Sequence, residues 1–266
     1  MIPHNLTIIN YHKIEHNSDI GLTTRHPADF ANDLKIIRDS GFSTITFNDL
    51  NNHLSLPQKP LIITFDDAYL SFYDKALDTL NSNNMKAVVF VPVNYIGKKN
   101  YWDVQFFKKE YWHMDKTQIM DSSKEGMEIG SHGLSHQFLN HMSNENIKHE
   151  FKKSKQTLED ITGNAIISVS YPFGRANLKV LEQAKENYKY GVQLLQSTEW
   201  KQFPNLSLRR INIYRTDNSK TFKRKLDYNN YPLTKIKSYL IQSGAWATVF
   251  MQKINRHDKK VWDPND

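Results

Sequence analysis

The chain contains no cysteine, which excludes disulfides, thiolate nucleophiles and sulfur-ligated metal sites. Any metal must be held by nitrogen and oxygen. No apolar run approaches the roughly 18 residues of a membrane helix. The opening residues Met1-Ile2-Pro3-His4 carry no basic segment leading into a long apolar one, so nothing resembles a secretory leader. If Met1 is the natural start, a cytoplasmic location is expected, with membrane contact at most peripheral, at the inner face. Basic clusters are also scarce. Lys and Arg outnumber Asp and Glu by 35 to 28, for a net charge of +7, but they are scattered except at Lys223-Arg224-Lys225, and no basic run is interleaved with aromatics. Nucleic acid is therefore not an expected partner. The excess suits anionic partners or simple solubility.

At 266 residues the chain can bury a sizeable core in one large α/β domain or two small ones. Short β-rich runs recur at Leu6 to Asn10, Thr44 to Phe47, Leu61 to Phe65, Ala87 to Val91, Ile166 to Ser170, Gly191 to Leu195 and Leu208 to Ile213. Between them the spacing of Phe30, Leu34 and Ile37 predicts a helix from Pro27 to Ser40, stopped by Gly41. Ile147, Phe151, Leu158 and Ile161 predict another from a capping Ser143 to Thr162, ended by Gly163. Tyr69 to Asn81 and Asn177 to Asn187 have weaker helical patterns. Alternating strand and helix argues for a mainly parallel sheet covered by helices, open or closed into a barrel. The alternation stops near residue 216. This divides the chain into 1–215 and an extension, 216–266, whose apolar stretch Leu233 to Met251 either packs on the domain or forms a foot on an anionic membrane.

The buried run Leu61-Ile62-Ile63-Thr64-Phe65 ends in two carboxylates, Asp66 and Asp67, at the strand end where α/β sheets build their sites. Downstream, Gly130-Ser131 precedes His132, and His136 follows four residues later, a spacing that puts both imidazoles on one face of a helical turn. If the two strand ends share a cleft, Asp67, His132 and His136 make a two-His, one-carboxylate set suited to a divalent metal, zinc above all, with an open position. Zinc would lower the pKa of a water from about 15.7 toward about 7. Asp66, left free, would take the proton in amide or ester hydrolysis.

Three blocks, Thr64-Phe65-Asp66-Asp67, Ser131-His132 with His136, and Tyr171-Pro172-Phe173-Gly174, stand in the order and separation of the polysaccharide deacetylases with a NodB-homology domain, carbohydrate esterase family four. The chain resembles that family over roughly residues 5 to 215. The resemblance implies an α/β fold, a distorted (β/α) barrel of about seven parallel strands. It also implies removal of N-acetyl groups from amino sugars. Asp66 would be the catalytic base, with Asp67, His132 and His136 binding one divalent metal (zinc, with cobalt or nickel as alternatives). The Phe173 amide would support the oxyanion.

Three departures stand out. Ala68 replaces the glycine usual after the aspartates, and Ser170 replaces an arginine that partners the base, a loss that Arg175, Arg209 or Arg210 could repair. The late histidine that supplies the general acid is missing. A circularly permuted branch, similar to the poly-N-acetylglucosamine deacetylases, draws that histidine from the first strand, and Tyr11-His12 stands at the corresponding place. His12 is therefore the expected acid. Tyr69, Tyr95, Trp102 and Trp112 could stack on sugar faces. Tyr69, Tyr171 and Arg175 are the candidate substrate contacts, and Asp103 is a further candidate for a place near the cleft. His113, His141 and His149 have no partner pattern and read as surface or helix residues. Alternative readings are a catalytically silent glycan-binding member and an O-acetyl esterase. The absent leader shifts the expected substrate toward a lipid-linked or nucleotide-linked glycan precursor.

Overall fold

In the computed structural model, residues 2–16, 22–52, 55–101, 110–194 and 201–227 are described. Trp102, Asp103, Leu195, His257 and the stretch 233–251 lie outside them. The first apolar run forms β1 (Thr7–Tyr11), buried at every position. Burial on both faces explains why such strands read as continuous hydrophobic runs rather than alternations. A two-residue pair, β2 (Lys13–Ile14) and β3 (Thr24–Arg25), follows, and then α1 (Pro27–Asp39), which buries Phe30, Leu34, Ile36 and Ile37. The expected strand at 44–47 is instead β4 (Ser43–Thr44) followed by α2 (Phe47–Asn51). Thr46 and Asp49 form a reciprocal capping box that turns the chain into a helix.

The chain continues through β5 (Pro60–Phe65), a π-helical turn at Phe72–Ala76, α3 (Leu77–Ser82) and β6 (Val88–Val91). Next come α4 (Lys116–Lys124), β7 (Glu128–Ser131) and α5 (Asn144–Thr162). Helix α5 is capped by Ser143 and ended by Gly163 at φ 69°, the left-handed position glycine adopts without strain. The remainder is β8 (Ser168–Ser170), α6 (Leu178–Lys185), β9 (Tyr190–Gln193), β10 (Leu208–Arg209), β11 (Ile211–Asn212) and α7 (Ser219–Leu226).

The main sheet runs β10-β9-β8-β7-β6-β5-β1-β11, with β4 beside the first half of β5, and every pair is parallel. Only Arg210 separates β10 from β11. One segment, 208–212, therefore bonds to β9 with its first half and to β1 with its second, closing the sheet into a barrel. Ile8, Ile62, Val88, Phe90, Val192 and Leu208 fill the interior, and α2 adds Phe47 and Leu50 at the end where the strands begin. Alternate strand residues, such as Ile9, Ile63, Val89 and Val169, pack outward against the helices. The described part of the extension, 216–227, packs on the barrel: Phe222 and Leu226 are buried, and Lys225 bonds Asn212 O at 2.8 Å and pairs with Asp217. The basic triplet is thus split, with Lys225 inside. Among the described residues no helix is long and apolar enough to cross a membrane.

Glu128, the first residue of β7, is buried near the lower end of the barrel. It accepts from Asn48 N at 2.8 Å and Ser168 Oγ at 2.7 Å. Burial outweighs these neutral donors and pushes its pKa up to about 7. A carboxyl raised in the folded state contributes stability that is full below its unfolded pKa and is lost as pH rises through about 7. Glu128→Gln is expected to flatten this dependence and to stabilise the protein at pH 8 by on the order of 2–3 kcal/mol. Denaturant melts at about pH 5 and 8 check it; equal wild-type and variant slopes would contradict it.

Candidate metal centre

Asp66 and Asp67 follow β5, His132 follows β7, His12 follows β1 and Phe173 follows β8, so all sit at the carboxyl ends of the strands. The ligand atoms of Asp67, His132 and His136 lie within 4.8 Å of one another, and all three residues are buried. Both Nε2 atoms face one carboxylate oxygen, Asp67 Oδ1, at 3.5 Å from His132 and 3.3 Å from His136. The convergence is not helical. His132 ends its strand, Gly133 turns at φ 77°, and His136 itself sits at φ 51°, so a loop with two left-handed residues brings the imidazoles together. Asp67 (φ 69°), Ala68 (φ 46°) and Phe173 (φ 61°) are left-handed as well. Non-glycine residues in this region are strained and cluster where surrounding structure over-determines them.

The donor set fits a cation. His132 Nδ1 lies 2.7 Å from the Ser170 carbonyl, which can only accept, so the ring proton is on Nδ1 and the Nε2 lone pair faces Asp67. Burial lowers the pKa of His132, and that of His136 well below the ordinary value. Two neutral imidazole lone pairs aimed at a carboxylate oxygen suit a shared divalent ion, and three ligands leave a position open.

Asp66 lies beside this trio, 5% exposed. Arg210 holds it with both arms of its guanidinium: Nη1 donates to Oδ1 at 2.8 Å and Nη2 to Oδ2. Nη2 also donates to Ser170 Oγ at 2.7 Å, and Nη1 to Asn10 Oδ1 at 2.8 Å. Burial by itself would raise Asp66, but the charge and hydrogen bonds of Arg210 outweigh it and hold the carboxyl below the usual range. Of the three candidate arginines, Arg210 takes the place that Ser170 vacates. His12 Nε2 is 4.0 Å from Asp66 Oδ2, with its side chain 19% exposed.

Other expected residues are placed differently. Tyr171 is fully buried and donates to Leu206 O at 3.0 Å, and Tyr69 is 2% exposed, its hydroxyl accepting from Asn100 Nδ2 at 2.9 Å. Both rings are buried in the structure as it stands, unlike the exposed faces that a stacking contact with a sugar uses. Arg175 is half-buried beyond the Pro172–Gly174 turn. Trp112 is 43% exposed. His113, expected at the surface, is 3% exposed, and its Nδ1 meets the Asp67 carbonyl at 2.6 Å. That contact is to a backbone atom, which no pattern of side chains reveals. The Phe173 ring packs 5.2 Å from that of His136.

A closed parallel barrel with helices outside and an Asp-His-His cluster at its strand ends defines a NodB-type (β/α) architecture. The profile of the polysaccharide deacetylase family matches residues 53–192, and the chain belongs to that family. It is 28% identical to YxkH of Bacillus subtilis over 195 residues, 71% of this chain and 64% of that protein. It is 26% identical to the poly-beta-1,6-N-acetyl-D-glucosamine N-deacetylase of Staphylococcus epidermidis over 159 residues, 58% of this chain and 55% of that enzyme. The chain thus spans less than two thirds of either relative. Among solved structures, the Streptococcus pyogenes deacetylase PplD, in complex with acetate, superposes with a TM-score of 0.71 at 24% identity, covering 85% of this chain and 99% of that one. IcaB from Ammonifex degensii gives 0.68 at 17% identity, covering 85% and 97%. These two likenesses are of fold.

Proposed function

We propose that this chain is a metal-dependent deacetylase that removes the N-acetyl group from an amino sugar within a glycan or a lipid-linked or nucleotide-linked glycan precursor. The observation that carries the reading is the Asp67-His132-His136 cluster beside an ionised, arginine-held Asp66. Asp67, His132 and His136 would hold one divalent ion, zinc, with cobalt or nickel as alternatives. The ion would supply Lewis-acid polarisation and an ionisable water. Asp66 accepts the proton of the attacking water, and Arg210 keeps the carboxylate ionised and aimed. His12, partly exposed on the same rim, donates a proton to the leaving amine. The Phe173 N–H, at the head of its strained turn, donates to the oxyanion. The first-strand histidine supports a relation to the permuted poly-N-acetylglucosamine branch, and the staphylococcal relative supports the N-acetyl substrate.

A cytoplasmic place of action, with at most peripheral contact at the inner membrane face, is part of this proposal. An N-acetyl substrate and an O-acetyl ester would use the same residues, so the test compares them. Acetate release by the purified protein is measured on N-acetylhexosamine oligomers, on nucleotide-linked and polyprenyl-phosphate-linked forms, and on an O-acetylated glycan, with and without chelator. Chelator-sensitive release from the N-acetyl substrates is expected. Release from the ester alone would transfer the proposal to an esterase.

A further inference from the structure

The buried stripe of α5 contains two polar residues, Glu150 and Ser154, among Ile147, Phe151 and Leu158. They lie one turn apart on the face that packs against β7; Glu150 reaches the segment between the two histidines, and Ser154 reaches Ser131 just before the first. Glu150 Oε2 accepts from the backbone N–H groups of Leu134 at 2.7 Å and Ser135 at 3.0 Å, and Oε1 accepts from Ser135 Oγ. Ser154 Oγ lies 2.9 Å from Ser131 Oγ, which accepts from Gly133 N at 3.1 Å. A side chain at Gly133 would come within 3.1 Å of Glu150 Oε2, so the loop is wrapped directly on the carboxylate. Successive amides cradling an anion form a built concavity. A carboxylate only 5% exposed and met by no cation in these contacts is costly to bury. An apolar residue would fill the same stripe without that cost.

We infer that Glu150 is a positioning residue for the metal. It fixes the 133–136 turn so that His136, at φ 51°, is held opposite His132 before the ion arrives. This inference rests on the metal reading above, though not on the substrate. Outer partners of metal-ligating residues typically change metal affinity by about 10–100-fold.

The test titrates zinc into chelator-stripped wild type and Glu150→Gln against a chromophoric competitor, alongside melting of the stripped proteins. Glu150→Gln is expected to lose about 10–100-fold in zinc affinity while the stripped variant melts within a few degrees of wild type. Equal affinities would overturn the role, whatever the melting temperature. Should Glu150→Gln fail to fold, Ser135→Ala removes one of the three donors and leaves the helix intact. It is expected to lose affinity severalfold, and an unchanged affinity overturns the inference equally. A wild type that binds no zinc would contradict the metal reading itself, a result distinct from equal affinities.

Discussion

Asp66→Asn is expected to lower turnover by about 10²–10⁴-fold, the usual contribution of a general base, while zinc affinity stays within a few-fold of wild type. Asp66 is not among the three clustered ligands, and its replacement removes proton acceptance without removing a donor to the ion. Asparagine retains one acceptor for Arg210, whose other acceptors, Ser170 Oγ, Asn10 Oδ1 and Thr64 Oγ1, remain in place. Turnover and zinc affinity measured on the same preparation decide it. Retained turnover would remove Asp66 as the base, and lost zinc would make it a ligand instead.

Arg210→Ala should cost about 3–5 kcal/mol of stability, because breaking a buried pair leaves an uncompensated charge. Arg210 is 2% exposed and Asp66 5%. The sign of the pH effect also reverses. In the wild type a carboxyl held below its ordinary pKa contributes stability that is present above the unfolded value and disappears only in strong acid. Without Arg210, burial dominates and raises Asp66. Stability then falls as pH rises through the raised value, and the acid limb of the rate profile moves to higher pH. Arg210→Lys restores charge without the two-armed geometry and should recover the stability more fully than the rate. A melt and a pH–rate profile on each variant test this; an acid limb that does not move in Arg210→Ala would contradict the pairing.

That pairing was the least legible part of the chain. Arg210 lies 40 residues from Ser170 and 144 from Asp66 in sequence, and only closure of the sheet through 208–212 brings them together. By contrast, the strand leading into Asp66 was readable because burial on both faces leaves a plain apolar run, whereas β7, Glu128-Ile129-Gly130-Ser131, has no such run and showed only as the Gly130-Ser131 junction before His132. The helices at 27–39 and 144–162 were readable from periodicity and caps. Helix α4 was missed because it buries only Ile119 and Ser122, which leaves no stripe to detect. The histidine spacing singled out the pair that clusters with Asp67 for an incomplete reason, since the intervening turn is a loop with left-handed residues rather than a helix. Tyr171 could have been placed by alternation. Ser168 and Ser170 hydrogen-bond inward, to Glu128 and Arg210, so the residue after Ser170 points into the outer core. The stretch 233–251, read as packing on the domain or as a membrane foot, lies outside the described residues.

The most direct test of the central claim is acetate release from an N-acetylglucosamine oligomer by chelator-stripped protein as zinc is titrated back, with Asp67→Asn beside it. The expected result is no release from the stripped protein, recovery that saturates near one zinc per chain, and no recovery in the variant at the same zinc. Release that persists without metal, or full recovery in Asp67→Asn, would contradict the assignment of Asp67, His132 and His136 as the metal centre of a deacetylase.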